Sequence, residues 1–480
     1  MKFADKILQS LRPAFSREAT FKWFSAIAIG FMCGPGNAGM AGIVRALALS
    51  FASYSSVERF FRSTAFCAET LLLYWRRAVL AFAPLHRIFD GRAVLISDGT
   101  KQAHEGSHMP GVKKHSQESE NSSKPSYIFG HLWGGLGIAA SAGGLSLCIP
   151  LSLAIHNGLA EAFRWKGCEE RAESHVMQSV RALCEASQDI DGGAVGALDA
   201  YFMSLGAVKM AKESAAALIM RAKPSYVGYE KLEEPKAGEK RGRGRPRTKG
   251  ASVKLASVFE AEKELFAKES AVLYGKEETV LVHSKTLLWG KTESEREELL
   301  FVFACTGSGQ IIIACTDTGM PAVEALEIYS LRFSIESAFK SLKQANKCFG
   351  ARFWTKAMPK LDRYAKKGSP DSLEAVSDPK DQAKILRAIE ATERYAAIGC
   401  IAAGILQMLA MKLAESGKRP AMRFVRTAHQ KAPSVESVSA GFGILLGLSP
   451  DEELYGAFSK LKGLRMKPHE FDIYCLDDIA

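Results

Sequence analysis

The chain has 480 residues, 47% of them hydrophobic, which is enough to bury a sizeable core and excludes a disordered or small disulfide-stapled polypeptide. Lys and Arg number 63 against 52 Asp and Glu, a formal charge of +11, which favours a polyanionic partner through counterion release without establishing one. The ten cysteines are scattered with no C-x-x-C pair, residues 1–20 carry charges and no long apolar run, and the longest apolar stretch, near Ile398–Met411, is shorter than a bilayer requires. Reduced core thiols, a cytoplasmic protein, two to four structural units and no membrane partner are the expectations.

In chain order, residues 1–88 alternate apolar and polar positions at helical spacing, broken at Gly34-Pro35-Gly36 and near Ser53–Ser56, and predict a small helical domain. Its aromatic and basic residues (Arg59, Phe60, Phe61, Arg62, Trp75, Arg76, Arg77) fit either DNA-end contacts or amphipathic packing with solvated arginines. From Ala93 the texture changes: Ala93-Val94-Leu95-Ile96-Ser97 reads as a buried strand ending in Asp98, followed by strand-like runs at Tyr127–Ala140 and Leu145–Ile155. A helical stretch over about 160–186 leads to a strand ending in Asp199, a short helix near Leu205–Ala217 and a strand at Leu218–Lys223.

Residues 238–250 shift to Gly, Pro and Arg and mark a loop. The alternating strands of 271–318 read as a β-rich insertion between two halves of one core. Pro321 then opens a long helix over 321–345, and a Ser-, Asp-, Pro- and Lys-rich linker (366–381) precedes a helical C-terminal region beginning near Gln382. The resulting division is 1–88 helical, 89–225 first part of the core, 226–320 insertion, 321–360 last core helix, and 361–480 C-terminal helices.

Asp98 and Asp199 each end an apolar strand, where a sheet can project carboxylates toward one cleft, and Glu336 lies on the helix predicted at 321–345. If the three converge, these hard oxygen ligands suit Mg²⁺ or Mn²⁺, and a metal pair can activate an attacking oxygen and stabilise a leaving one in phosphoryl transfer. At about 100° per residue, Tyr329, Arg332, Glu336, Lys340 and Lys343 share one stripe. Ile328, Leu331, Ile335, Ala338, Phe339 and Leu342 form the adjoining apolar stripe. Cations beside a lone acid make sense if the acid holds metal and Arg332 and Lys343 grip phosphates. The competing reading is an i,i+4 ion pair between Arg332 and Glu336 on a wet helix.

Tyr329-Ser330-Leu331-Arg332-Phe333-Ser334-Ile335-Glu336, continuing to Lys343, resembles the Y-x2-R-x3-E-x6-K signature of the insertion-sequence-4 family of DDE transposases. Asp98-Gly99-Thr100, Asp199-Ala200-Tyr201-Phe202 and Gly130-His131-Leu132-Trp133 resemble that family's first-Asp, second-Asp and meander segments, so the likeness spans about residues 90–360. It implies an α/β fold with a ribonuclease H-like core and mixed sheet, interrupted by a β-rich insertion and flanked by helical regions. It also implies metal ligation by Asp98, Asp199 and Glu336, DNA-phosphate contacts from Tyr329, Arg332 and Lys343, and a homodimer on double-stranded DNA at the bacterial nucleoid.

Trp289 reads as either a base-stacking aromatic or a packing residue. The run Arg241-Gly242-Arg243-Gly244-Arg245-Pro246-Arg247 resembles an AT-hook, with Arg243 and Arg245 as minor-groove contacts, or else is a basic linker without sequence preference. His131 reads as a hydrogen-bonded structural histidine rather than a catalytic one. Rival readings are a decayed element that only binds A·T-rich DNA, and an unrelated ribonuclease H-like nuclease that cuts without joining.

Overall fold

The computed structural model describes residues 1–36, 39–88, 90–117, 125–232, 249–292, 295–362, 371–418 and 433–466. The chain opens with helices α1 (Lys2–Ser10), α2 (Glu18–Met32), α3 (Met40–Ala46), α4 (Ser53–Phe61) and α5 (Ala68–Phe82). Strands β1 (Ala93–Ala103), β2 (Lys113–Ser116), β3 (Tyr127–Ala142) and β4 (Leu145–Ile155) follow. Helices α6 (Ala160–Trp165) and α7 (His175–Gln188) lead to β5 (Ala194–Leu198), α8 (Leu205–Glu213), β6 (Ala217–Arg221), β7 (Val227–Tyr229), β8 (Ser252–Lys254) and α9 (Val258–Ala261). After β9 (Ala267–Leu273), β10 (Lys276–Trp289), β11 (Glu297–Thr306) and β12 (Gly309–Cys315) come α10 (Ala322–Leu331), α11 (Ser334–Gln344), α12 (Pro379–Glu415) and α13 (Val435–Leu448).

This mixed α/β chain divides into two compact units, one of Met1–Leu85, Gly99–Ser174 and Glu336–Ala480, the other of His86–Asp98 and His175–Ile335. The first unit is organised by α12. Asp378 caps it, its carboxylate accepting from Lys380 N–H at 2.9 Å, and Pro379 occupies the first turn, where a missing N–H costs nothing. The helix therefore starts earlier than the apolar run suggests and, at 37 residues, is long and apolar enough to cross a bilayer, yet 83% of its most apolar window is buried inside the protein. It packs on β4, α2, α5 and α13, a core helix rather than one facing lipid or water.

The β3–β4 hairpin lies against α12, with β2 antiparallel to β3 and the C-terminal half of β1 beside it, where His104 N–H donates to the Phe129 carbonyl at 2.9 Å. Short, polar β2 (Lys-Lys-His-Ser) carries no apolar alternation and is not foreseen from the sequence. Gly135 on β3 leaves the space that the Phe339 ring of α11 fills, which seats α11 on this hairpin. The described cysteines are all free thiols.

The second unit is a sheet in the order β1-β5-β6-β12-β11-β10-β7-β8, with β9 also on β10. β1–β5 and β5–β6 are parallel, whereas β6–β12, β12–β11 and β11–β10 are antiparallel. The strands expected as a separate insertion thus join the core sheet directly through β12 on β6. The pairing satisfies an edge that β6 would otherwise leave open.

The helix expected over 321–345 is two helices. At Arg332–Phe333 the i→i−4 ladder gives way to tighter bonds, Arg332 N–H to Tyr329 C=O at 3.1 Å and Ile335 N–H to Arg332 C=O at 3.2 Å, while Ser334 Oγ donates to the Leu331 carbonyl at 2.7 Å. The single stripe from Tyr329 to Lys343 presumes one continuous helix. It does not hold as drawn.

Gly404 in α12 faces Trp75, whose Nε1–H donates to the Pro150 carbonyl at 2.9 Å. Gly404→Ala is expected to destabilise by about 1–3 kcal/mol in denaturant unfolding, because the added Cβ runs into the buried indole, even though alanine is the better helix former by about 1 kcal/mol. An unchanged or raised midpoint would mean that this contact is loose.

Candidate active site

β1 and β5 pair in parallel from Ala93↔Ala194 to Ile96↔Ala197. Two residues beyond the last paired positions stand Asp98, still within β1, and Asp199, one residue past the end of β5, so both lie at the same end of the parallel pairing. All four paired residues on each strand are buried, as expected of parallel strands covered on both faces. β1 itself continues to Ala103, so Asp98 ends the parallel pairing rather than the strand. Asp199 remains extended (φ −77°, ψ 170°) and caps the 3₁₀ turn of Ala200–Phe202.

Arg332, at the end of α10, places Nη1 3.4 Å from Asp98 Oδ2, with Arg332 and Asp98 only 15% and 23% exposed. The same guanidinium lies 5.9 Å from the centroid of the Tyr329 ring. Burial pushes the Tyr329 hydroxyl up to about 12; Arg332 opposes that shift and the Asp199 carboxylate adds to it. Tyr329 is therefore a hydrogen-bond donor at any physiological pH. Two acids, a cation and a protonated phenol come together within the second unit.

Tyr329 also lines a cavity of about 230 Å³ with Arg221, Tyr274, Thr306, Ser308 and Gln310. Arg221 ends β6 as the two aspartates end their own runs, and its charge acts on Tyr329. A strand-terminal cation after Ala-Leu-Ile-Met was the available sequence signal for it. Tyr201, 67% exposed and two residues past Asp199, packs its ring against Phe202 and His175.

Glu336 and Lys340 are exposed on α11, which belongs to the first unit. Lys343, on the same helix, donates from Nζ to the Lys101 carbonyl at 2.8 Å. Among the described residues no three His, Cys, Asp or Glu side chains stand in a metal-holding cluster. The aspartate pair is nonetheless the oxygen-rich donor set that a hard divalent cation prefers, and each carboxylate has two oxygens to offer.

Trp289, the last residue of β10, is half-buried opposite Glu297 on β11, with its ring 5.6 Å from Tyr226. The two rings are tilted by 43° to each other. Arg243 and Arg245, with the rest of the Arg241–Arg247 run, lie outside the described residues.

His131 is fully buried and gives its Nε2 proton to the Pro110 carbonyl at 2.8 Å, with the His104 ring 4.8 Å away. Desolvation holds His131 down to about 3 and His104, also beside Arg352, to about 4. These are neutral core imidazoles, as the sequence suggests.

No family model matches the chain, and no curated protein is significantly similar to it.

Histidines held neutral by the fold take up their proton on unfolding, so their contribution is complete above about pH 6.5 and is lost as pH falls toward the folded values of about 3 and 4. Stability is expected to drop between pH 6.5 and 4.5 by up to about 1.4 kcal/mol per pH unit for each. Denaturant titrations should show that slope flattened by about one proton in His131→Gln; an unchanged slope would remove His131 as a cause.

Proposed function

We propose that this chain is a DNA transposase of the insertion-sequence-4-like DDE kind, which cuts transposon ends and joins them to target DNA by metal-dependent phosphoryl transfer. The observation that carries the reading is the parallel pairing of β1 with β5, which brings Asp98 and Asp199 to the same end of the two strands, with Arg332 at Asp98 and Tyr329 within electrostatic reach of Asp199.

A ribonuclease H-like reading of the core is supported by β1 itself. Its N-terminal half pairs with β5 and β5 with β6, while its C-terminal half lies beside β3, which pairs with β4. That is the connectivity expected of such a core.

In this reading Asp98 and Asp199 hold Mg²⁺ or Mn²⁺, and Glu336, which the signature assigns to the same set, is the third ligand. When bound, two such ions supply Lewis acidity for the attacking and leaving oxygens of the phosphoryl group. Arg332 presents a planar fork to phosphate oxygens, which screens the charge that accumulates between two acids and a DNA backbone. Tyr329, held protonated, donates to a phosphate oxygen without itself ionising. Lys340 and Lys343 on α11 add positive charge for the DNA strand. The partner is double-stranded DNA, bound by two copies of the chain so that two ends are brought together.

With a duplex carrying the inverted repeats that bracket the reading frame, Mg²⁺-dependent 3′-end nicking and strand transfer are expected. Asp98→Asn, Asp199→Asn and Glu336→Ala should each lower cleavage by roughly a hundredfold or more. Tyr329→Phe should cost about tenfold, the worth of one hydrogen bond to a charged oxygen. Full cleavage by Glu336→Ala would sink the ligand assignment, and cleavage without joined products would point to a simple nuclease.

A further inference from the structure

Between Glu336 and Asp362 the chain carries six basic residues (Lys340, Lys343, Lys347, Arg352, Lys356, Lys360) and no acid. The last four lie beyond α11, in a segment without regular secondary structure. Its burial alternates: Ala351 and Phe353 are buried, while Arg352, Trp354 and Lys356 are exposed, Trp354 by 55%. Phe353 is the anchor, 1% exposed, with ring contacts to Phe61 of α4 and Tyr395 of α12.

The backbone is tied down as well. Thr355 N–H donates to the His108 carbonyl at 3.2 Å, Leu361 N–H to the Ser107 carbonyl at 2.8 Å, and His108 Nδ1–H to the Met358 carbonyl at 2.7 Å. The outward row is thus fixed in advance, and its ordering cost is met by folding rather than by binding. Arg62 lies over the Phe353 ring at 5.9 Å, with Arg59 one turn back on the same helix. Both arginines are exposed, and Glu58 offsets only Arg62, at 3.3 Å.

A tryptophan more than half in water between two cations is a poor surface for an apolar protein partner, whose interface core depletes lysine. It suits a polyanion with flat faces. We propose that Arg352, Trp354 and Lys356, with Arg59 and Arg62 of α4, form a duplex-DNA-holding surface on the first unit. The cations contact phosphates of one strand, and the indole lies against the sugar and base edge between them. This assignment deepens the transposase reading and rests on it for the identity of the DNA, but it involves none of the residues placed at the carboxylates.

The test is fluorescence-anisotropy binding of the full-length protein to a labelled duplex across a salt series, alongside Mg²⁺-dependent cleavage of the same duplex. The Arg352→Ala, Lys356→Ala double variant should lower the slope of log affinity against log salt by about 2, one counterion-release unit per lost phosphate contact. Trp354→Ala should weaken binding about tenfold, and Trp354→Phe should recover most of that because a flat face remains. Thermal melting of each variant at the wild-type temperature shows that these exposed substitutions leave the fold intact. Unchanged affinity and slope in the variants, with wild-type binding and cleavage present, would overturn this surface and leave the carboxylate reading standing. Wild-type binding without cleavage, with the variants weakened as stated, would keep the surface and overturn the catalytic reading; a wild-type chain that binds no duplex overturns both.

Discussion

Parallel pairing of β1 with β5 is the constraint on which the candidate site depends. Ala93 through Ile96 and Ala194 through Ala197 are buried throughout, the continuous apolar run of parallel strands covered on both faces. The apolar core, not any attraction between the acids, brings Asp98 and Asp199 to the same end of the pairing, and Arg332 lies 3.4 Å from Asp98. β6 extends the arrangement, pairing Leu198 with Met220 and ending in Arg221.

The break between α10 and α11 gives this arrangement its second property. A continuous helix would set Tyr329, Arg332 and Glu336 on one rigid rod. The turn at Arg332–Phe333 instead lets α10 hold Tyr329 and Arg332 against the sheet of the second unit, while α11 is seated in the first unit by Phe339 over Gly135. The run from Tyr329 to Lys343 thus falls in two packing environments.

In the first unit α12 has the corresponding structural role. Buried along most of its length, it backs the β3–β4 hairpin, and its Tyr395 supports Phe353, whose burial turns Arg352 and Trp354 outward. The same core keeps His131 and His104 neutral, so a polar cluster inside this unit acts on stability rather than on chemistry.

The sequence by itself determined where regular structure would form: apolar runs at 93–97, 127–140, 145–155 and 194–198 became strands, residues 1–88 became helices, and acids at the ends of buried runs were legible as a candidate pair. Periodicity reports which side of a segment is buried, and that information is local. Only the tertiary structure decided who the partners are. It joined β12 to β6, turned Trp289 onto Tyr226, stopped α10 at Arg332 and exposed Trp354 while burying Phe353. Each of these follows from contacts between residues far apart in the chain, or from a bond exchanged at a single turn. Neither leaves a periodic trace in the amino acids themselves.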